Sequence, residues 1–245
     1  RNKWKLLSFL ERLKAQVDFY LQLRNRKFDL VIDLFGNPRS AILTAITGAP
    51  HRVGYDFRVR RYCYNTVVTP RGGEVHEVEF NLDALRALGM KISTTTPEFP
   101  LSVALKENAE RWLSEHGATR GNLRIGMNPG GGWEIKCWKP EAYAALADQL
   151  IVNNNAHIIL FWGPGERDRV EMVAEAMKES PIILPETSLK ESGAYLTCCS
   201  FLLSNDSGPM HIAAALRVPT VGIFGPTNPL LQGPYGDNNS TIQKK

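Results

Sequence analysis

The sequence predicts an α/β chain built from parallel sheets and divided into two units. Three observations carry that expectation. Downstream of residue 122, short apolar runs alternate with helical periodicity as far as Phe224. Upstream, a strand followed by a helix is legible across Phe28 to Thr47. Between the two halves lies the polar, glycine-containing stretch His116 to Asn122. Strands separated by helices of this length need crossover connections, so the sheets are parallel and covered on both faces. A chain of 245 residues with 43% hydrophobic content is large enough to bury two cores.

The first half begins with an amphipathic pattern from Trp4 to Arg26, where Trp4, Leu7, Leu10, Leu13, Val17, Tyr20 and Leu21 recur at helical spacing among basic residues. Packing on a sheet accounts for such a helix, and so does a position in the headgroup plane of a membrane. Phe28 to Leu34 is a β-branched, apolar strand ending at Gly36, and Pro38 to Thr47 is its helix. Strands follow near His51 to Gly54 and Cys63 to Val68, with the basic run RVGYDFRVRRY between Arg52 and Tyr62 overlapping the first of them. Thr69 to Gly73 is a loop, and His76 to Leu88 returns to helical spacing before Gly89 stops it. His76 is placed either to cap that helix or to face an acceptor pocket. Val103 to His116 is a further amphipathic helix, and the domain boundary is expected between residues 118 and 119.

The second half has a stricter rhythm. Strands are expected at Leu123 to Met127, His157 to Phe161, Pro181 to Leu184, Phe201 to Leu203 and Thr220 to Phe224. Helices fall at Glu141 to Val152, Arg167 to Lys178, Leu189 to Cys199 and Pro209 to Leu216. Ligands of such sheets bind beyond the carboxyl ends of the strands, so the loops there carry the chemistry.

Composition narrows the function classes. A formal charge of +4 with one local basic run does not make a nucleic-acid footprint, although it suits an anionic substrate. The four cysteines, Cys63, Cys137, Cys198 and Cys199, lack zinc-type spacing, and the adjacent pair reads as small apolar residues in a helix. A reducing compartment is expected. No apolar run approaches the ~20 residues that span a bilayer. The chain opens on Arg1 and closes soon after a loop, so both ends are expected to be incomplete.

Four loops at strand ends stand out. Asn128 to Pro140 contains three consecutive glycines, Gly130, Gly131 and Gly132, whose amides can wrap an anion, and Lys136, a mobile positive charge. It matches neither the Walker nor the dinucleotide glycine pattern, and a flexible turn with a solvated lysine remains open. Gly163 to Arg167 puts Glu166 at a helix start, to cap the helix or to bind a ribose diol. Pro185 to Leu189 is a helix entrance fit to border a nucleobase. Ser204 to His211, reading SNDSGPMH, makes a sharp turn into a helix. There Asp206 or Ser207 can cap, Gly208 admits a ligand, Pro209 sits near the first helical position and His211 adds a donor. Free amides at that helix start suit a phosphate or pyrophosphate. A well-capped strand-helix connection accounts for that turn alone; four such loops together point to a nucleotide or nucleotide-sugar site.

The segments NPGGGWEIKCWKPEAYAALADQL, FWGPGE and NDSGPMHIAAALRVPTVGIFGPTNP resemble the heptosyltransferases of lipopolysaccharide core synthesis, and FDLVIDLFGNPRSAILTAITGAPHRVGYD is similar to their acceptor domain. The resemblance covers nearly the whole chain. It implies a GT-B fold: an acceptor-binding Rossmann-like domain at 1–118 and a donor-binding one at 119–245, with parallel sheets facing a cleft. It implies an inverting transfer of L-glycero-D-manno-heptose from ADP-heptose to the lipopolysaccharide inner core, with no metal or other cofactor required. Lys136 and Asp206 would be the catalytic residues carried over. Gly131, Gly132, Lys136, Asp206, Ser207, Gly208 and His211 would surround the diphosphate or sugar, Glu166 would bind the ribose, and Thr187, Ser188 and Leu189 would border adenine.

The family's general-base Asp is expected ahead of this chain's first residue, and neither Asp33 nor Asp56 occupies its loop. This chain is therefore expected to bind donor and transfer weakly. The expected setting is a monomer in the cytoplasm, peripheral on the inner membrane, where the first helix and the Arg52 to Arg61 stretch meet a glycolipid acceptor. The same fold also suits a nucleotide-sugar epimerase or hydrolase, or a non-catalytic nucleotide-sugar binding module.

Overall fold

The computed structural model describes residues 8–119 and 121–243. Trp4 and Leu7, at the start of the expected first helix, lie outside the described residues. The chain forms two compact units that divide between Thr95 and Thr96.

In the first unit, β1 (Leu30–Asp33), β2 (His51–Tyr55) and β3 (Thr66–Val68) pair in that order, all parallel. Around them run α1 (Phe9–Asn25), α2 (Pro38–Thr47) and α3 (Glu77–Arg86). Ser8 and Glu11 close a reciprocal capping box on α1, and Asn37 with Ser40 does the same for α2. The core gathers Val53, Tyr55, Val68 and Ala84, with the Tyr55 ring stacked 4.2 Å from Phe80. Burial pushes the Tyr55 hydroxyl up to about 12. No residue of α1 is buried, although it lies against α2.

The second unit has a sheet of six parallel strands in the order β6-β5-β4-β7-β8-β9. These are β4 (Arg124–Asn128), β5 (His157–Leu160), β6 (Ile182–Ile183), β7 (Phe201–Asn205), β8 (Thr220–Phe224) and β9 (Asn239–Gln243). The helices are α4 (Val103–Glu115), α5 (Pro140–Asn154), α6 (Arg167–Ala176), α7 (Leu189–Leu196), α8 (Gly208–Ala215) and α9 (Pro229–Gln232). Side chains of a strand alternate between faces, and the two cores sort accordingly. Ile159 and Leu202 join α4, α7 and α8, whereas Ile158, Leu160 and Leu203 join α5 and α6.

Two sequence expectations are corrected. The boundary lies near residue 95 rather than after 118, because α4 is a cover of the second sheet. Its Ala109 and Leu113 are buried with Ala118, Leu196 and Leu202. Buried Arg124 on β4 grips Glu110 of α4 with both guanidinium amines, at 2.7 and 2.9 Å, and donates to Ala118 O at 2.6 Å. In addition, β9 and α9 follow the last expected strand; β9 is a mostly exposed, polar edge strand without the apolar alternation that marks the others. Among the described residues no helix is long and apolar enough to cross a membrane.

The Arg124–Glu110 pair should dominate the attachment of α4. Glu110→Ala leaves a guanidinium in the core and is expected to cost roughly 2–3 kcal/mol, below the figure for a fully enclosed pair because the Glu110 side chain remains 30% exposed. The double variant Arg124→Met, Glu110→Leu should recover most of that loss in urea unfolding. A Glu110→Ala protein as stable as the parent would show that the pair does not hold the helix.

Candidate functional site

The strand order of the second unit reverses between β4 and β7. From β4 the chain builds outward through β5 to β6, then returns beside β4 and builds the other way through β8 to β9. The loops leaving β4 and β7 therefore diverge, and the space between them is where a parallel sheet binds its ligand. Beyond Arg124 at the start of β4, both strands are apolar until their carboxyl ends. Asn128, Ser204 and Asn205 are then completely buried polar groups at this opening.

Lys136 and Asp206 meet there. The loop after β4 folds into a short 3-10 turn, Glu134–Lys136, which delivers the Lys136 ammonium to Asp206 Oδ2 at 2.6 Å. The Asp206 side chain is only 6% exposed, while Lys136 keeps 26% of its surface open. The backbone on the other side makes this approach possible. A Cβ on Gly225, just beyond β8, would lie 2.8 Å from Ile135 O, so only glycine lets the turn settle.

The start of α8 differs in one respect from the sequence expectation. Neither Asp206 nor Ser207 caps it: Asp206 holds Lys136, and Ser207 makes no side-chain cap bond although it occupies the N-cap position. The Ser207 hydroxyl instead turns inward, accepting from Asn128 Nδ2 at 2.9 Å and donating to Asn205 O at 3.1 Å. Pro209 brings no N–H to the first turn, and a Cβ on Gly208 would meet nothing within 4 Å, so the helix start is open to approach. Amides at such a start carry partial positive charge and suit an anion. Exposed His211 lies in this first turn.

Glu166 closes the β5 side. It occupies the N-cap position of α6 without capping it; its carboxylate turns back to accept from Gly163 N at 2.9 Å. A Cβ on Gly130 would lie 2.3 to 2.8 Å from that carboxyl group. Gly130 is thus required for Glu166 to rest against the loop, while Gly132 faces open space and Gly131 would meet only the Cys137 thiol. Thr187, Ser188 and Leu189 follow β6, which β5 separates from β4. Ser188 is committed to a capping box with Glu191 through both its amide and its hydroxyl. Thr187 lines a small cavity of about 110 Å³ with Asn108, Glu186 and Tyr195, and Leu189 is exposed.

Several residues that build this region were not singled out from the sequence. Arg169 pairs with exposed Glu134 of the glycine loop while its own side chain is only 15% exposed, and it holds the Glu134 carboxyl below the usual range. Its signal was its position three residues after Glu166, on the same helix face. Asn128, Tyr143 and Asn205 are fully buried. In the first unit, Asp33 accepts from Phe35 N, Gly36 N and the Tyr64 hydroxyl, and Asp56 pairs with Arg61, so both carboxylates serve local structure. His76 Nδ1 accepts from Val78 N, the capping alternative of its two readings. Burial pushes the Cys198 thiol up to about 11, in keeping with an apolar role.

The family model for glycosyltransferase family 9 (heptosyltransferase) matches residues 17–245. Lipopolysaccharide heptosyltransferase 3 of Escherichia coli is 28% identical over 245 residues, covering 96% of this chain and 68% of that protein. Among solved structures, a family 9 glycosyltransferase from Veillonella parvula is 26% identical with a TM-score of 0.79, covering 93% of this chain and 66% of its own. The E. coli heptosyltransferase WaaC with ADP is 26% identical with a TM-score of 0.71, covering all of this chain and 74% of its own.

The contact between Gly130 and Glu166 yields a test free of any assumption about ligands. Gly130→Ala should push the Glu166 carboxylate off Gly163 N and speed hydrogen exchange at that amide by about tenfold, the loss expected for one charge-assisted bond. Gly132→Ala, which meets open space, should leave it unchanged. Equal exchange in both variants would mean that Glu166 does not depend on the glycine.

Proposed function

The chain belongs to glycosyltransferase family 9, and we propose that it moves L-glycero-D-manno-heptose from ADP-heptose to the inner core of lipopolysaccharide, with inversion at the transferred carbon. The observation that carries this reading is the Lys136–Asp206 pair at the reversal of the sheet, beside the uncapped start of α8. Transfer from an ADP-sugar builds negative charge on the departing diphosphate, and the chemical step is accelerated by donors already aimed at that charge. In this reading Lys136 takes the charge, with the amides at Gly131, Gly132, Ser207 and Gly208 around the phosphates. Asp206 holds Lys136 in place, and His211 lies next to the sugar side. Glu166 has one carboxylate oxygen committed to Gly163 N and offers the other to a ribose hydroxyl. Thr187 and Leu189 border the base; Ser188 contributes shape rather than hydrogen bonds, since its cap already uses them.

The first unit receives the glycolipid acceptor. Exposed Val59 and Tyr62 lie in sequence beside Arg58 and Arg61, and α1 exposes Phe9, Leu10 and Leu13 among basic residues. Apolar side chains interleaved with arginine suit an anionic lipid surface. That supports a chain working peripherally on the inner face of the cytoplasmic membrane.

Calorimetric titration with ADP, UDP and GDP tests the donor assignment. ADP is expected to bind best, and Lys136→Ala and Asp206→Ala each to weaken it by about tenfold, or ~1.4 kcal/mol. A preference for UDP or GDP, or unchanged affinity in both variants with circular dichroism intact, would overturn the assignment. Product analysis with ADP-heptose separates transfer, which yields a heptosylated acceptor, from epimerisation or hydrolysis, which alters the donor without an adduct.

A further inference from the structure

Asn205 ends β7 and is completely buried, yet its carboxamide is fully engaged. Nδ2 donates to Pro129 O at 2.7 Å and to Gly130 O at 3.2 Å, where the glycine loop begins. Oδ1 accepts from Trp138 N at 3.0 Å, where the same loop ends, and from the Tyr143 hydroxyl at 3.1 Å. An Asn side chain has two N–H donors and two lone pairs on oxygen, and here each has a partner. Tyr143, itself buried on α5, also reaches Asn128 O at 3.2 Å.

One side chain therefore clasps both ends of the loop that carries Lys136. The next residue in the chain, Asp206, clasps Lys136 itself. A closed circuit results: Asn205 to Asp206 along the backbone, across the ion pair to Lys136, on through Cys137 to Trp138, and back by hydrogen bond to Asn205. A flexible loop bearing three glycines loses much conformational freedom when it orders around a ligand. Fixing it at both ends beforehand removes part of that cost from binding.

We infer that Asn205, braced by Tyr143, is the positioning residue of the donor site, holding the glycine loop and Lys136 in the geometry that receives the donor diphosphate. The inference rests on the donor reading above. Asn205 acts through the loop and Lys136 rather than by touching substrate. Aspartate has the same shape and keeps the two accepting bonds, but it turns a carboxylate toward the Pro129 and Gly130 carbonyls, where two donors are needed.

The test is a double-mutant cycle on ADP affinity with Asn205→Asp and Lys136→Ala, folded state being checked by circular dichroism and thermal midpoint. Asn205→Asp should weaken ADP by about tenfold when Lys136 is present and by no more than about threefold in the Lys136→Ala background, because coupled residues are not additive. A residue that only supports the fold would cost the same in both backgrounds, and that result would overturn the inference. If Asn205→Asp does not fold, Tyr143→Phe replaces it in the same cycle, with a smaller expected loss of about threefold and the same criterion of non-additivity. A parent protein that binds no ADP defeats the donor reading, and this inference with it. A parent that binds ADP but shows additive losses defeats this inference alone.

Discussion

The reversal of strand order between β4 and β7 is the constraint on which the second unit depends. Everywhere else in its sheet, consecutive strands are neighbours on one side and their loops crowd together. At the reversal, two adjacent parallel strands send their loops apart. Polar residues end both strands there. Asn128, Ser204 and Asn205 are each 0% exposed, which would be costly without partners. Their side chains bond to one another and to the loop after β4, and the polar ends of the two strands become one network. Among the described residues, Asn128 Oδ1 is the member of that network left without a partner.

Glycine has a different task on each side of the opening. Gly130 and Gly225 are sites of close approach, where a methyl group would collide with the Glu166 carboxyl or the Ile135 carbonyl. Gly132 and Gly208 meet nothing within 4 Å and leave backbone accessible. The first pair therefore brings the walls of the site together, and the second pair keeps its floor bare. A run of three glycines in a sequence does not separate these tasks, because the partner that makes a glycine obligatory lies on another strand.

Much of this was legible in the sequence because strand-helix alternation is local. The strands of the second half, the placement of Lys136 and Asp206 at carboxyl ends, and the helix after the SNDSGPMH turn follow from periodicity and turn chemistry within short windows. What escaped depends on partners far away in the chain. Whether α4 belongs to the first unit or the second is decided by Arg124 reaching back to Glu110 and by Leu113 among residues some eighty positions later. Asn205 resembles any polar residue at a strand end until Pro129, Trp138 and Tyr143 are seen around it. The expected cap at α8 failed for a related reason. Asp206 and Ser207 have the right chemistry for capping, but each finds a stronger or deeper partner across the sheet reversal, Lys136 for one and Asn128 for the other.

That failure of capping has a mechanistic consequence. A helix start satisfied by its own side chain offers little to a ligand, whereas one whose capping residues are drawn elsewhere keeps its amides for an anion. Drawing Asp206 away also sets the charge of the opening. A carboxylate left alone beside a phosphate would repel it, but Lys136 at 2.6 Å neutralises Asp206. Lysine suits this position because its ammonium is a compact charge with three donors, of which the Asp206 bond uses one. In the proposed reading, an incoming diphosphate need not break the ion pair to gain the lysine. A guanidinium bound through both amines, as Arg124 is to Glu110, would have spent its fork on the carboxylate. On the proposed reading, the same unit uses a bidentate arginine where a contact is permanent and a single lysine bond where a contact is shared.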